Sequence, residues 1–175
     1  MYFIRPASFF VAALSVLALS ASVRAAILPG HAAPCLPAQL AVTLDSRNGE
    51  FDGMSQSGAL LVLRNAGHIA CTMSPLPALT FEDARRQPLA VERRIPRGMH
   101  PGPVLMTVVV APGKNVATRL HWVASDVFDA GNCVTPAFVS LSIKDGTLHV
   151  PFGYPLCAAD GSTAYFDQSP LAMMK

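Results

Sequence analysis

From residue 39 onward, short apolar runs alternate with turn-forming residues. In segments 40–44 and 139–143 every second residue is apolar, and in 116–122 Val116, Thr118, Leu120 and Trp122 alternate with other residues. This is the period-two pattern of a strand with one buried face. Fifteen prolines and twelve glycines interrupt these runs, and no segment keeps helical periodicity long enough for a stable helix. The pattern predicts an all-β fold, and an antiparallel β-sandwich or barrel in particular.

About eight or nine short strands are expected in such a fold. The candidate segments are 40–44, 59–63, 79–81, 89–91, 104–110, 116–122, 139–143, 148–152 and 165–166. Asp145-Gly146 is a turn signal, so that 137–152 is predicted to be a hairpin. We expect one domain over 39–170, after a proline-rich leader at 26–38 and before a C-terminal tail at 171–175.

Residues 1–25 have the three parts of a cleavable signal peptide. Arg5 supplies the positive charge, 9–19 is an apolar run, and Val23 and Ala25 are the small residues of an A-x-A-like cleavage site. The run is shorter than the roughly 20 residues that span a bilayer. The sequence therefore predicts a periplasmic or secreted protein whose mature chain has no transmembrane segment.

The positive charge of the chain after the signal is concentrated in one segment, although cations and anions balance overall. Two of its 13 cations, Arg5 and Arg24, lie in the signal, and the remaining chain has as many cations as anions, 11 of each. This balance argues against a nucleic-acid binder, which needs a basic surface. Five arginines nevertheless give residues 85–100 a local net charge of +4: Arg85, Arg86, Arg93, Arg94 and Arg97.

Two interpretations of this arginine segment remain open. A basic surface is suited to an acidic partner, an anionic glycan or a lipid headgroup. A charged edge strand beside Pro96 would instead block pairing with other sheets, and this second interpretation is favoured. The partner class also stays open, between an unidentified protein and another envelope component.

Four cysteines remain after the signal: Cys35, Cys71, Cys133 and Cys157. An even number in an oxidising compartment predicts two disulfides. Three pairings are possible, and the sequential pairing Cys35–Cys71 and Cys133–Cys157 is preferred because it closes the shortest loops. A zinc site is disfavoured, since zinc ligands usually form C-x(2–4)-C pairs and these cysteines are at least 24 residues apart.

The sequence contains no strong catalytic or metal-binding motif. No serine lies in a Gly-x-Ser-x-Gly turn, and the cysteines are expected to be oxidised, so we predict no enzyme and no cofactor. Thioether and imidazole groups suit copper and zinc, which makes a small-ligand or metal carrier the alternative function. Its candidate ligands are Met99, His100, Met106 and His121; core methionines and surface histidines are the simpler explanation.

The order of several short motifs is similar to that of the domain-of-unknown-function family numbered 4232. The motifs are Cys35 followed by 36–40, Arg64-Asn65-Ala66-Gly67, Cys71-Thr72-Met73, Ala111-Pro112-Gly113, Leu120-His121-Trp122, and finally Cys133 and Cys157. One departure is Ser74-Pro75-Leu76-Pro77, where family members often carry Gly-Tyr-Pro. The resemblance covers about residues 35–170 and implies an immunoglobulin-like β-sandwich of the bacterial envelope, with no assigned activity.

Overall fold

The computed structural model of the protein describes residues 32–94, 104–125, 127 and 131–174. These residues form thirteen strands and no α-helix, which confirms the all-β class. The strands are β1 Leu40–Asp45, β2 Gln56–Asn65, β3 Cys71–Met73, β4 Leu79–Glu82, β5 Val91–Arg93, β6 Val108–Val110, β7 Asn115–Val123, β8 Gly131–Val134, β9 Phe138–Ile143, β10 Gly146–Pro151, β11 Leu156–Ala159, β12 Ala164–Gln168 and β13 Ala172–Met173. The predicted signal peptide, 1–25, lies outside the described residues.

The strands form four sheets. A six-stranded sheet has the order β1-β2-β7-β12-β5, and β13 also pairs with β7. A three-stranded sheet has the order β10-β9-β4, and β11-β8 and β3-β6 form two-stranded sheets. The expectation of purely antiparallel pairing is wrong at one place: β5 runs parallel to β12, where it forms an edge of the larger sheet.

The inward faces of the six-stranded and three-stranded sheets meet in the main core. Its centre is aromatic: the Phe81 ring lies 4.9 Å from that of Phe152 and 5.0 Å from that of Phe166. Trp122 packs against Phe152 at a centroid distance of 5.0 Å. Such offset and edge-on ring pairs stabilise a core beyond their burial alone, so the strand register is firmly set on both sheets.

The predicted hairpin is confirmed as β9 and β10. Ile143 pairs with Gly146 across the turn, and Asp145 has a φ of 62°, a left-handed conformation that aspartate tolerates better than most residues. The resulting register buries Val150 and leaves His149 on the outward face, because side chains alternate along a strand.

Both disulfides form, in the sequential pairing. Cys35 and Cys71 lie 4.8 Å apart at their Cα atoms, and both are buried in a second apolar cluster between the β3-β6 pair and the larger sheets. Cys133 and Cys157 face each other directly on β8 and β11. Cys133 is solvent-exposed, whereas Cys157 is buried.

Two segments assigned to the periphery belong to the fold. In the expected leader 26–38, the described residues include the buried Cys35 and Pro34, which forms a bridge with Thr72. In the expected tail 171–175, Leu171 is 5% exposed and β13 pairs with β7. Such short pieces have no readable alternation, so the sequence pattern placed them outside the domain.

The side chain of Asn65 organises the loop that follows β2. Asn65 is fully buried, and its amide donates to the carbonyls of Ile69 at 2.8 Å and Val110 at 2.9 Å. Its Oδ1 accepts the backbone N–H of Gly67 at 2.9 Å. All the hydrogen-bonding capacity expected of a buried amide at this point is therefore used.

The backbone of Asn65 holds a second loop in place. Its N–H donates to the carbonyl of Lys114 at 3.1 Å, and its carbonyl accepts the N–H of Gly113 at 2.7 Å. Gly113 has a φ of 71°, a conformation that favours glycine. The Asn65-Ala66-Gly67 and Ala111-Pro112-Gly113 turns are thus connected by the hydrogen bonds of Asn65.

Replacing Asn65 by alanine removes the side-chain partner of the Ile69 and Val110 carbonyls and of the Gly67 N–H, at a cost of about 1–3 kcal/mol for each group that stays buried. We expect Asn65→Ala to lower the free energy of unfolding by about 3 kcal/mol, measured by guanidinium denaturation of the oxidised protein. Asn132→Ala is the matched control, because Asn132 is exposed and makes only a 3.4 Å bond to Ser162. Equal losses in the two variants would contradict this role.

The two disulfides should differ in their resistance to reductant. Thiol–disulfide exchange requires access to a sulfur, and only the Cys133–Cys157 bond has an exposed partner. We expect dithiothreitol to reduce Cys133–Cys157 first, as measured by alkylation and mass spectrometry over time. Reduction of Cys35–Cys71 first, or of both bonds together in the folded protein, would contradict the expectation.

Candidate functional site

The outward face of the six-stranded sheet carries an open concavity of about 500 Å³. We call this the sheet-face site. Its lining residues are Phe51, Arg119, His121, Asp167, Gln168 and Ser169. This volume lies within the range of small-molecule sites in proteins, about 300–1,000 Å³.

Strands β7 and β12 position the polar side chains of the site. On β7, Leu120 and Trp122 point into the core, so Arg119 and His121 point outward. On β12, Asp167 lies directly opposite His121, and the His121 Nδ1 is 4.0 Å from an Asp167 oxygen. The same alternation that fills the core therefore assembles the outward cluster.

Phe51 supplies the apolar wall. It belongs to the loop between β1 and β2 and lies over Gly58, the residue opposite His121 on β2. A Cβ atom at position 58 would come within 2.9 Å of the Phe51 Cβ. The absence of a side chain at Gly58 thus allows the phenyl ring to approach the sheet beside His121.

Asp167 is held by an arginine from the neighbouring edge strand. The Arg94 guanidinium donates two hydrogen bonds to its carboxylate, one of them from Nε at 2.9 Å, and lies over the Tyr165 ring at 4.5 Å. The bond to Asp167 raises the pKa of Arg94 above its usual range. This bidentate contact fixes the carboxylate and balances its charge.

The remaining polar residues are anchored by backbone contacts or by other side chains. The Gln168 amide accepts from Arg93 at 3.3 Å and donates to the Pro77 carbonyl at 3.2 Å. The Ser169 Oγ accepts the backbone N–H of Arg119 at 2.8 Å. The Arg119 guanidinium, by contrast, makes no ion pair or hydrogen bond with the described part of the chain.

A second polar cluster lies on the outward face of the three-stranded sheet. The Glu82 carboxylate is 3.1 Å from His149 Nδ1 and 3.6 Å from Arg86, and the Arg86 guanidinium lies 3.5 Å from the centroid of the Phe138 ring. Burial raises the pKa of Glu82, but hydrogen bonds with Ser140 and His149 and the charges of His149 and Arg86 outweigh it, so that the pKa is lowered.

This second cluster does not have the geometry of a nucleophile and its base. The Ser140 hydroxyl donates to the Thr80 carbonyl at 3.2 Å. A serine nucleophile would instead donate to the histidine whose other nitrogen faces the carboxylate.

The structure divides the predicted arginine segment between the two clusters. Arg86 belongs to the Glu82 cluster, and Arg94 pairs with Asp167 of the sheet-face site. Arg93, in register with the core-facing Phe166, lines a different cavity beside Leu79. Arg85 is exposed in a turn, and Arg97 lies outside the described residues. Two of the five arginines are therefore occupied by carboxylates and aromatic rings of the same chain.

The predicted metal ligands are not brought together in the described part of the chain. His121 lies in the sheet-face site, and Met106 is exposed before β6. Met99 and His100 lie outside the described residues. Within those residues, no three His, Cys, Asp or Glu side chains form a group suited to a metal ion.

Sequence reasoning singled out His121 but missed its neighbours. Arg119 could have been recognised, since it shares the outward phase of the same predicted strand. Asp167 could not, because its approach to His121 depends on the pairing of β12 with β7. The contribution of Phe51 depends on a loop that has no periodicity.

A family model described as "Domain of unknown function (DUF4232)" matches residues 35–171. The chain belongs to this family. The match spans both disulfides and nearly all of the described core. A search of curated proteins and a search of solved structures find no match. In the part of this DUF4232 chain that the structure describes, no helix has the length and apolar character needed to cross a membrane.

The lowered pKa of Glu82 predicts a pH dependence of stability. A carboxyl with a lower pKa in the folded state stabilises the fold above its unfolded pKa, near 4.5, and this contribution is lost as pH falls through the folded pKa. We therefore expect the free energy of unfolding to fall below about pH 4.5, and to fall less steeply in Glu82→Gln.

Denaturation curves at a series of pH values measure this difference. Glu50→Gln is the matched control, because Glu50 is exposed in the β1–β2 loop. The assignment to Glu82 is wrong if the wild type and Glu82→Gln lose stability in parallel below pH 4.5.

Proposed function

We propose that this protein is an exported, non-enzymatic binding module of the bacterial envelope, with an immunoglobulin-like β-sandwich fold and the sheet-face site as its ligand-binding surface. Export is supported by the signal-like residues 1–25 and by two disulfides, which persist in oxidising compartments. The sandwich is supported by two larger sheets that share one core.

A binding role rather than catalysis is supported by how the titratable groups of the site are arranged. Asp167 is committed to Arg94, and His121 faces that same pair. The Ser169 hydroxyl oxygen accepts a backbone N–H, and no described group approaches it as a base. Groups that are already paired can position a ligand, whereas a general base must be within hydrogen-bond reach of the proton that it removes.

The observation that carries the proposal is the concavity itself. It is a preformed depression, about 500 Å³ in volume, whose polar residues come from regular strands or from the turn anchored to them. Sites built on strands hold their geometry more firmly than sites built on loops, so less ordering is required when a ligand binds.

NMR of the isotope-labelled mature protein tests the binding role. We expect addition of the small-molecule fraction of an envelope extract to shift the resonances of Phe51, Arg119, His121 and 167–169, because these residues line the concavity. Shifts that are absent, or that occur only at other surfaces, would contradict the proposed site.

Export is tested separately by expressing the full chain in a bacterial host and fractionating the cells. The expected product is a mature chain in the periplasmic or secreted fraction, cleaved after Ala25 and lighter by about four hydrogens than its fully reduced form. An uncleaved chain retained in the cytoplasm would contradict export without bearing on the sheet-face site.

A further inference from the structure

We propose that the sheet-face site binds a small molecule that carries a carboxylate. Arg119 binds the carboxylate, and Phe51 contacts the apolar part of the molecule. This inference rests on the proposed binding function and specifies its ligand class. It follows from the charge, the free hydrogen-bonding groups and the shape of the site.

The charge of the site favours an anion. Arg94 neutralises Asp167, so the carboxylate does not repel a second negative group as a free one would. Among the described residues no acidic side chain pairs with Arg119, so Arg119 adds a positive charge to the site. The residue directly opposite it on β2 is Leu60, so no acidic cross-strand partner reduces that charge.

At the Arg119 end of the site the free hydrogen-bonding groups are donors. The Gln168 amide is occupied by Arg93 and the Pro77 carbonyl. The Ser169 oxygen already accepts one bond, which leaves its hydrogen available. The Arg119 guanidinium adds five N–H donors in a planar fork. A ligand must therefore bring acceptors, and a carboxylate matches the fork in a bidentate geometry.

The shape of the site favours an organic carboxylate over an inorganic anion. Phe51 forms one wall at the level of His121, on the same concave face as Arg119. A carboxylate attached to an apolar or ring-shaped body would place its charge at Arg119 and its body against the phenyl ring. This combination also fits the volume of about 500 Å³, which far exceeds that of an inorganic ion.

Matched ligands distinguish recognition of the carboxylate from burial of the apolar body. The probes are 3-phenylpropionate and the neutral 3-phenylpropionamide, titrated into the oxidised mature protein and followed by NMR. We expect the carboxylate to shift the resonances of the sheet-face site and to bind at least tenfold more tightly than the amide, with an affinity that weakens as salt is added. Equal binding of the two compounds, or no binding of the carboxylate, would overturn the inference.

Variants locate the contact. Arg119→Gln should weaken 3-phenylpropionate binding at least tenfold, and Arg119→Lys should fall between it and the wild type, because lysine keeps the charge but not the planar fork. Arg64→Gln is the matched control: Arg64 is also exposed and outward-facing, on β2, but does not line the concavity. Unchanged binding in Arg119→Gln, in a protein with wild-type thermal stability, would overturn the assignment.

Two further probes identify the source of the carboxylate. N-acetyl-phenylalanine represents the end of a peptide, and glucuronate represents an acidic sugar; tighter binding of either at Arg119 supports the inference and names the source. Binding of only neutral compounds at this face would overturn the carboxylate class while leaving the proposed binding function intact. Failure of neutral and acidic compounds alike to bind there would overturn both.

Discussion

The buried amide of Asn65 is the interaction on which the arrangement of the loops depends. Through five hydrogen bonds it joins the end of β2, the turn towards β3 and the turn that leads into β7. β3 contributes Cys71 to a disulfide, and β7 is the central strand of the larger sheet. A buried polar group is costly unless its bonds are made. These hydrogen bonds therefore disfavour registers in which β2 slips along β7, because a slip would break them.

Because Asn65 and the turns that it holds are committed to the fold, the polar clusters described above lie on the outward faces of the sheets. Each of the two larger sheets presents an arginine that pairs with a carboxylate and stacks on an aromatic ring, with a histidine beside it. On the smaller sheet the cluster encloses Glu82, which is 7% exposed. On the larger sheet Phe51 and Gly58 border a depression next to the equivalent cluster, and Arg119 lines that depression without an acidic partner among the described residues.

Alternation in the sequence predicted most of the fold because it reports burial directly. It located the hairpin of β9 and β10, the long β7, and the phase in which Leu120 and Trp122 face inward. It missed β3, β8, β11 and β13, which have two to four residues and are too short to show a period. It also missed the site, because Asp167 meets His121 through strand pairing and Arg94 reaches Asp167 from a parallel edge strand, contacts that no local pattern encodes.

On β7 the residues that form the core differ from those that line the sheet-face site. Leu120 and Trp122 are held by the core, and the turn before β7 is held by Asn65, so the backbone of β7 is rigid for reasons unrelated to any ligand. His121 lies between Leu120 and Trp122, and Arg119 directly precedes Leu120, so both side chains project from this rigid backbone. Little backbone entropy is therefore lost when a ligand binds. The residues that make the fold are therefore distinct from Phe51 and Arg119, to which the proposed ligand contacts are assigned, and the fold alone does not specify a ligand.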